Sequence, residues 1–511
     1  MQIYSNKCFK NPIKIIEAKK DLKTAIEEIE KLRSKYFLLG YINYNFDYLY
    51  FEVFDKFEIF IPRKAKQLGT IIKPLISKES YINAVNQIKD YISEGVSYEV
   101  NYTYPSKVLT NLDGIDLYEA LLEKQTTPYN TFLQTPDNTL LSFSPELFFK
   151  LENNKIITKP MKGTVPCLND GKDQERREFL YNDIKNRAEN IMIVDLLRND
   201  LGRIAKTGTV KVNKLFEIEK HPTVFQMTSE ISAELEENIG LYEIFNAIFP
   251  CGSITGAPKV STMKIIDELE PFSRNIYCGA IGYLSPDTIE FSVPIRILYG
   301  KNYQYTYHAG GAIVWDSDAE DEWQETLTKT EFLQTDFQLI ETGTDDWDKH
   351  IKRIKKSASK LGFKWNKNIE NIKGSKRILL NKNGSFSVEN KKFDPIKSNK
   401  IKIEGKVNSN NPFLYHKTTV REAKSNDIFD IIRVNEHGEI TEGTFTNIAI
   451  QTNGKLYTPP VKCGLLAGTY REKLIKNGIL EEKILYPNDL ETAEKIFCFN
   501  SVRKMVEVEL C

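Results

Sequence analysis

The chain has 511 residues, with 70 Lys+Arg set against 70 Asp+Glu. At ~150 residues per domain it has room for about two to four folding units, and its charge balance provides no net field to gather nucleic acid or an anionic membrane surface. The opening MQIYSNKCFK lacks an apolar stretch of the secretory type, and no run reaches the ~18 apolar residues of a membrane span. A cytoplasmic, unprocessed enzyme acting on a small molecule is the expectation. The cysteines number 7, scattered and never in a C-x-x-C pair, as reduced thiols are, rather than a disulfide frame or zinc site.

Residues 1–75 alternate aromatic, strand-like segments (YFLLGYINYNFDYLYFEVF) with a charged helical stretch around 17–35. Tyr81, Val85, Ile88 and Ile92 then fall at helical spacing before Gly95, and strand-like EVNYTYPSKV follows. Residues 139–165 read as strand, Asn153-Asn154 turn and strand, a hairpin that would bring SPELF close to KPMKGT. A long helical stretch over 172–201 precedes the strand-like GTVKV, and helices and strands alternate to about 330. From 336 the chain turns basic, with 31 Lys+Arg and 23 Asp+Glu against 39 and 47 before it. We place a boundary there and expect loops or a small sheet over 366–410, with strands at RILLN and KIKIEG.

Several residues in the first part could carry chemistry. Glu322, Glu325 and Lys329 share one helical face, and Glu189 stands in the otherwise apolar AENIMIVDLL. Taken alone, the face reads more readily as a solvated, salt-bridged stripe, but two helices each supplying a carboxylate could hold magnesium, a hard cation. CGSITGAPK places Thr255-Gly256 at an expected helix start, where N–H groups can meet an anion. Gly311 lies in a second exposed-backbone turn, HAGGAI, and Arg296 could pair with a carboxylate. Lys162, between two prolines in KPMKGTVP, is by composition one of many cations.

In order, SPELFF, KPMKGTVP, RAENIMIVDLLRNDLG, CGSITGAPKVSTMKIIDELEP, YCGAIGYLS, HAGGAIVWDS and EWQETLTK resemble the chorismate-utilising enzyme family over about 75–335. The branch most similar is the one that aminates chorismate at C4, since the resemblance implies Lys at 162 there and Ala in anthranilate-forming relatives. It implies Lys162 as a nucleophile at ring C2, with its pKa lowered by burial or neighbouring cations. Glu146 would be the general acid for the departing C4 hydroxyl. Glu189 and Glu325 would hold magnesium with Glu322 in support, and Thr255, Gly256, Tyr283, Arg296, Gly311 and Lys329 would line the chorismate site. Many relatives have a histidine where this chain has Gln226, and His221 lies five residues earlier. No glutaminase nucleophile turn of the Gly-x-Cys-x-Gly kind occurs, so a separate glutamine amidotransferase subunit is the implied source of ammonia.

In the second part, FLYHKTTVRE sets Lys417 amid strand-like residues, ahead of Arg421. GEITEGTFTNIAI offers Glu442, Thr446 and Asn447 at a turn, and GLLAGTYRE puts Gly468-Thr469 at a helix mouth. A lysine, a carboxylate and a helix-start phosphate cup are the parts pyridoxal 5'-phosphate requires, although ordinary turn caps would read alike. These segments, with HIKRIKKSASKLGF and the final CFNSVRKM, resemble the class IV, branched-chain aminotransferase-like family. The resemblance implies Lys417 as the cofactor lysine and Glu442 as partner of the pyridine nitrogen. Arg353, Thr446, Asn447, Gly468 and Thr469 would surround the phosphate, and a homodimer is compatible with the family.

The expectation is a two-domain α/β (α+β) chain. A chorismate-utilising fold of packed sheets surrounded by helices (1–75 as its N-terminal part, 76–335 as its catalytic part) precedes a pyridoxal-phosphate domain over 336–511. That domain opens at LIETGT and keeps only Glu341-Thr342 of the family's opening segment. The implied activity is amination of chorismate to 4-amino-4-deoxychorismate followed by cleavage to 4-aminobenzoate and pyruvate, a folate-pathway sequence. The alternatives are a noncatalytic docking or stabilising C-terminal module, and anthranilate- or salicylate-type chemistry.

Overall fold

The computed structural model describes residues 1–220, 224–392, 395–420 and 427–511; His221 and Arg421 lie outside them. Up to Ile313 the strands build two ten-stranded sheets. Strand alternation sets the layers. Tyr4 joins Phe9, Phe51, Phe149 and Phe291 in a core shared by both sheets, whereas its neighbour Ile3 packs with Leu117 and Leu121 of the helix Gly114–Leu122 on the outer side. The N-terminal residues are woven into both sheets. Gln2–Tyr4 pairs with Tyr129–Gln134 in the first, and Phe37–Ile42 with Ala280–Leu284 in the second.

Three local expectations are corrected. The helical stretch at 17–35 begins as a strand, Lys14–Lys19, paired with Tyr48–Phe54, and is helical only over Lys23–Leu32. The long helix at 172–201 is two, Asp173–Asn182 and Ile184–Gly202, because Asp183 is extended and its carboxylate caps the N–H of Asn186 at 2.8 Å. The strand expected at GTVKV starts only at Lys211. The Asn153-Asn154 turn joins Leu147–Glu152 to Lys155–Lys159, and both turn residues have positive φ, the requirement of a two-residue hairpin loop.

Past Thr335 the architecture changes. Leu339–Gly343, Lys376–Leu380 and Phe386–Asn390 form a three-stranded sheet that shares a core with the helix Trp347–Leu361. A mixed eight-stranded sheet runs from Lys400 to Leu510. Lys382 ties the two parts together: its ammonium donates to the carbonyls of Thr335 at 2.8 Å and Thr70 at 3.2 Å and sits 5.0 Å over the Phe337 ring. Beside it, the buried Phe413 packs against Gly69, where a Cβ would meet its ring at 2.9 Å. No helix among the described residues is long and apolar enough to cross a membrane.

Candidate active site

Lys162 owes its direction to a defect in a sheet. Met161 pairs with Thr228 and Thr164 with Gln226, so one extra residue is accommodated at Lys162-Gly163. Such a bulge re-aims a side chain, and Gly163 supplies the positive φ of 83°. A Cβ on Gly163 would meet Asn186 Oδ1 at 2.8 Å. The glycine thus also lets the helix Ile184–Gly202, which carries Glu189, approach the lysine strand.

The Lys162 side chain is 10% exposed, and its Nζ donates to Oε1 of the wholly buried Glu99 at 2.6 Å. Burial opposes its charge, but the carboxylates of Glu99, Glu189 and Glu146 outweigh that penalty and hold its pKa above the ordinary lysine value. The lowered pKa expected for a ready nucleophile is corrected accordingly: without a ligand, Lys162 is an ammonium. Glu146, which directly precedes the strand Leu147–Glu152, has its pKa raised by burial to about 7, against the opposing pulls of the Ser253 hydrogen bond and of Lys162. Ser253 Oγ donates to Glu146 Oε1 at 2.6 Å. A carboxyl so poised carries a proton near neutral pH, as a general acid must.

Glu322, Glu325 and Lys329 lie on or at the end of the helix Ala319–Thr328, opposite Gly311, which is not in the exposed turn expected but buried in the strand Gln304–Ile313, paired with Tyr102. A Cβ on Gly311 would stand 3.0 Å from Glu322 Oε2 and 3.9 Å from both Glu325 Oε1 and Lys329 Nζ. Lys329 pairs with Glu325 at 2.7 Å and donates to the Gly310 carbonyl at 2.7 Å. Burial raises the pKa of Glu189 and of Glu322, whereas Lys329 lowers that of Glu325. Glu189 and Glu322 also repel one another, as do Glu322 and Glu325. The oxygen donors suit a hard cation, but no group of three metal-ligating side chains is closed around one point among the described residues.

Arg296 is half-buried, with its charge disfavoured by burial, and its side chain has no ion pair or hydrogen bond among the described residues. An anionic ligand would relieve it. Thr255 and Gly256 do not open a helix. The Thr255 hydroxyl donates back to the carbonyls of Cys251 and Gly252, Gly256-Ala257 pairs with Glu99-Val100, and the helix begins only at Lys259. Gly256 has φ 130°, and a Cβ there would collide with the Glu99 carbonyl. Tyr283 is placed elsewhere. It stacks on Tyr4 at 5.1 Å and lies 5.0 Å below the Lys7 ammonium, in the core shared by the sheets. Gln226 faces Thr164 across the ladder, and its buried Oε1 has no partner among the described residues.

The second constellation gathers around Glu341. This buried carboxylate accepts from Arg353 Nε and Nη2, both at 2.7 Å, and lies 2.8 Å from His350 Nδ1. Burial would raise its pKa, yet Arg353, His350 and Lys417 hold it well below the carboxylate range. Lys417 is in a loop, not a strand. The 3-10 turn Pro412–Tyr415 precedes it, Thr418 bridges to Leu339, and the Lys417 carbonyl accepts from the Ile340 N–H. Asn447 Nδ2 donates to Glu442 Oε2 at 3.0 Å and to the Leu466 carbonyl at 3.1 Å. Gly468 is required beside it, since a Cβ would strike Asn447 Oδ1. Arg353 Nη1 reaches the Ala467 carbonyl at 3.1 Å, and Thr469 Oγ1 lies 3.3 Å from His350 Nε2 at the start of the helix Thr469–Lys476. Thr446 departs from its expected role: its N–H and hydroxyl both bind Asp430, at 3.1 and 2.6 Å.

Sequence reasoning passed over Glu99, Ser253, His350 and Asp430. The one available signal was an acidic residue opening the aromatic strand EVNYTYP, where a buried carboxylate demands a cation.

Residues 58–335 match the family model for chorismate binding enzyme, and residues 400–511 match that for amino-transferase class IV. The chain belongs to the chorismate binding enzyme family, with a class IV aminotransferase domain at its C-terminal side. Two relatives are the aminodeoxychorismate synthase component 1 of Salmonella typhimurium, 44% identical over 251 residues, and that of Escherichia coli, 41% identical over 272. These alignments cover 49% and 53% of this chain, and 55% and 60% of the relatives' lengths. In fold, anthranilate synthase component I from Streptococcus pneumoniae superposes with a TM-score of 0.57 at 24% identity, covering 64% of this chain and 92% of its own.

Proposed function

We propose that residues 1–335 aminate chorismate to 4-amino-4-deoxychorismate, and that the C-terminal domain cleaves this product to 4-aminobenzoate and pyruvate. The observation carrying the first half is Lys162, a buried amine held on a bulge beside Glu146. Lys162 Nζ attacks ring C2, Glu146 gives its proton to the C4 oxygen, and ammonia then enters at C4 and displaces the lysine. Arg296 takes a substrate carboxylate, while Gly311 leaves space beside Lys329 for the ring's anionic edge. Glu189, Glu322 and Glu325 are the residues that would hold magnesium, which supplies positive charge for the substrate's oxygens. Ammonia comes from a glutamine amidotransferase partner, for which free ammonium substitutes in vitro.

In the C-terminal domain Lys417, Glu442 and the Gly468-Thr469 helix start fit pyridoxal phosphate by donor chemistry. Lys417 supplies the amine, Glu442 an acid fixed by Asn447, and the helix start free N–H groups. The group would act as an electron sink when bound. Lys417 Nζ would be placed to take the substrate's C4 proton, and Glu442 would hold the charge of the cofactor's ring nitrogen. A second reading, a docking module without catalysis, draws support from Arg353, whose guanidinium is already engaged by Glu341 and Ala467.

One incubation separates these readings: full-length protein with chorismate, magnesium, ammonium and pyridoxal phosphate, its products identified by mass spectrometry. 4-Aminobenzoate with pyruvate is expected. Accumulated 4-amino-4-deoxychorismate would leave the docking module, and anthranilate or salicylate as the main product would overturn the C4 assignment.

A further inference from the structure

Of the carboxylates acting on Lys162, Glu99 and Glu146 lie in unlike surroundings. Glu146 has an oxygen held by Ser253 and a pKa near neutrality. Glu99 is wholly buried, with Oε1 2.6 Å from Lys162 Nζ, and its Oε2 is buried without a hydrogen-bond partner among the described residues. Ion pairing alone does not account for that arrangement, because a buried pair with an unmet oxygen is seldom worth more than apolar packing.

The backbone of Glu99 is also pinned. Ala257 pairs with it across the ladder, Ser97 Oγ donates to its carbonyl at 3.1 Å, and Gly256 lets its own segment close against that same carbonyl. Its carboxylate is thus fixed on the reactive nitrogen. The charged groups acting on that nitrogen are Glu99, Glu189 and Glu146, with Glu325 coupled to it as well. Glu146 is needed in its acid form and Glu189 and Glu325 sit on the magnesium side, so Glu99, the one in hydrogen-bond contact with Nζ, is the group left to receive a proton.

We propose that Glu99 is the base that takes the proton from Lys162 Nζ as the amine attacks C2; this rests on the synthase reading above. The N–H bond aimed at Glu99 Oε1 breaks and the proton moves to that oxygen. The freed lone pair forms the bond to C2, the ring double bonds shift toward C4, and the C4–O bond breaks. The oxygen takes the proton of Glu146 and departs as water. One proton arrives at Glu99 and one leaves Glu146, so the charge of the site is unchanged.

The test compares full-length wild type, Glu99→Gln and Glu99→Asp with chorismate and magnesium, first without ammonium and then with it. Without ammonium, intact-protein mass spectrometry follows an adduct heavier than the enzyme by chorismate less one water. With ammonium, kcat and KM for the C4-amino product are measured. Glu99→Gln should lower adduct formation and kcat at least roughly 100-fold with KM little changed, and Glu99→Asp, which keeps the base, should recover part of that loss. If Glu99 only stabilises the ammonium, the Gln variant frees a neutral amine and reacts as fast as wild type or faster, which overturns the proposal. A Glu99→Asp variant that folds, by thermal melting, but is no faster than Glu99→Gln also counts against a base. Wild type that forms no C4-amino product with ammonium refutes the synthase reading itself, a result distinct from either variant's.

Discussion

The chemistry proposed for Lys162 depends on its being outnumbered by carboxylates until a ligand arrives. Removing it leaves Glu99 buried and unpaired, so Lys162→Ala should destabilise the fold by about 3–5 kcal/mol and abolish the C4-amino product. In a Glu99→Gln background the same change should weaken the fold far less. Denaturant melts of the four proteins measure that coupling. Glu146 provides a pH handle. With its pKa raised to about 7, kcat should fall as pH rises through that value, and Glu146→Gln should be slow without that limb. The same shift makes protonated Glu146 favour the fold in acid, a contribution complete below its unfolded pKa and lost as pH rises through about 7.

At the scale of elements, two glycines, Gly163 and Gly256, decide how close the site can draw together. Gly163, with φ 83° and the Glu189 helix against it, should tolerate Ala poorly. Gly163→Ala is expected to destabilise by about 1–3 kcal/mol from backbone strain, readable as a lowered Tm, and to reduce kcat by shifting that helix. These positions also mark what was legible beforehand. The Asn153-Asn154 turn, the helix ending near Gly95 and the pairing of Glu322, Glu325 and Lys329 all follow from local periodicity and turn chemistry. The bulge at Lys162 does not, because it arises from register against Val224–Glu234, a strand far later in the chain. The same holds for Thr255-Gly256, whose pairing with Glu99-Val100 is long-range, and for Tyr283, whose neighbours Tyr4 and Lys7 come from the chain's beginning. Thr446 misled because a turn threonine beside a phosphate and one latched to an aspartate look alike until Asp430 is placed opposite it.

Across the whole molecule, the two parts meet through Lys382, Asn411 and Phe413. Phe413→Ala removes a buried ring packed 5.4 Å from that of Phe337 and should cost about 3–5 kcal/mol, with calorimetry expected to show the C-terminal part melting earlier. For the second site, wild type saturated with pyridoxal phosphate should keep the cofactor's absorbance after desalting, and Lys417→Ala should lose it. Well-folded wild type that retains none would instead favour the docking module.

The weaving of the first fifty-four residues through both sheets has a practical corollary. The matched family segment begins at 58, but a protein started there would lose the partners of Tyr129–Gln134 and Ala280–Leu284. Each bared strand would offer a row of unpaired N–H and C=O groups, a template for intermolecular pairing. Such a fragment should self-associate, visible as light scattering that grows with concentration, while the full chain stays clear. The portion most easily recognised is thus not a portion that can be cut out.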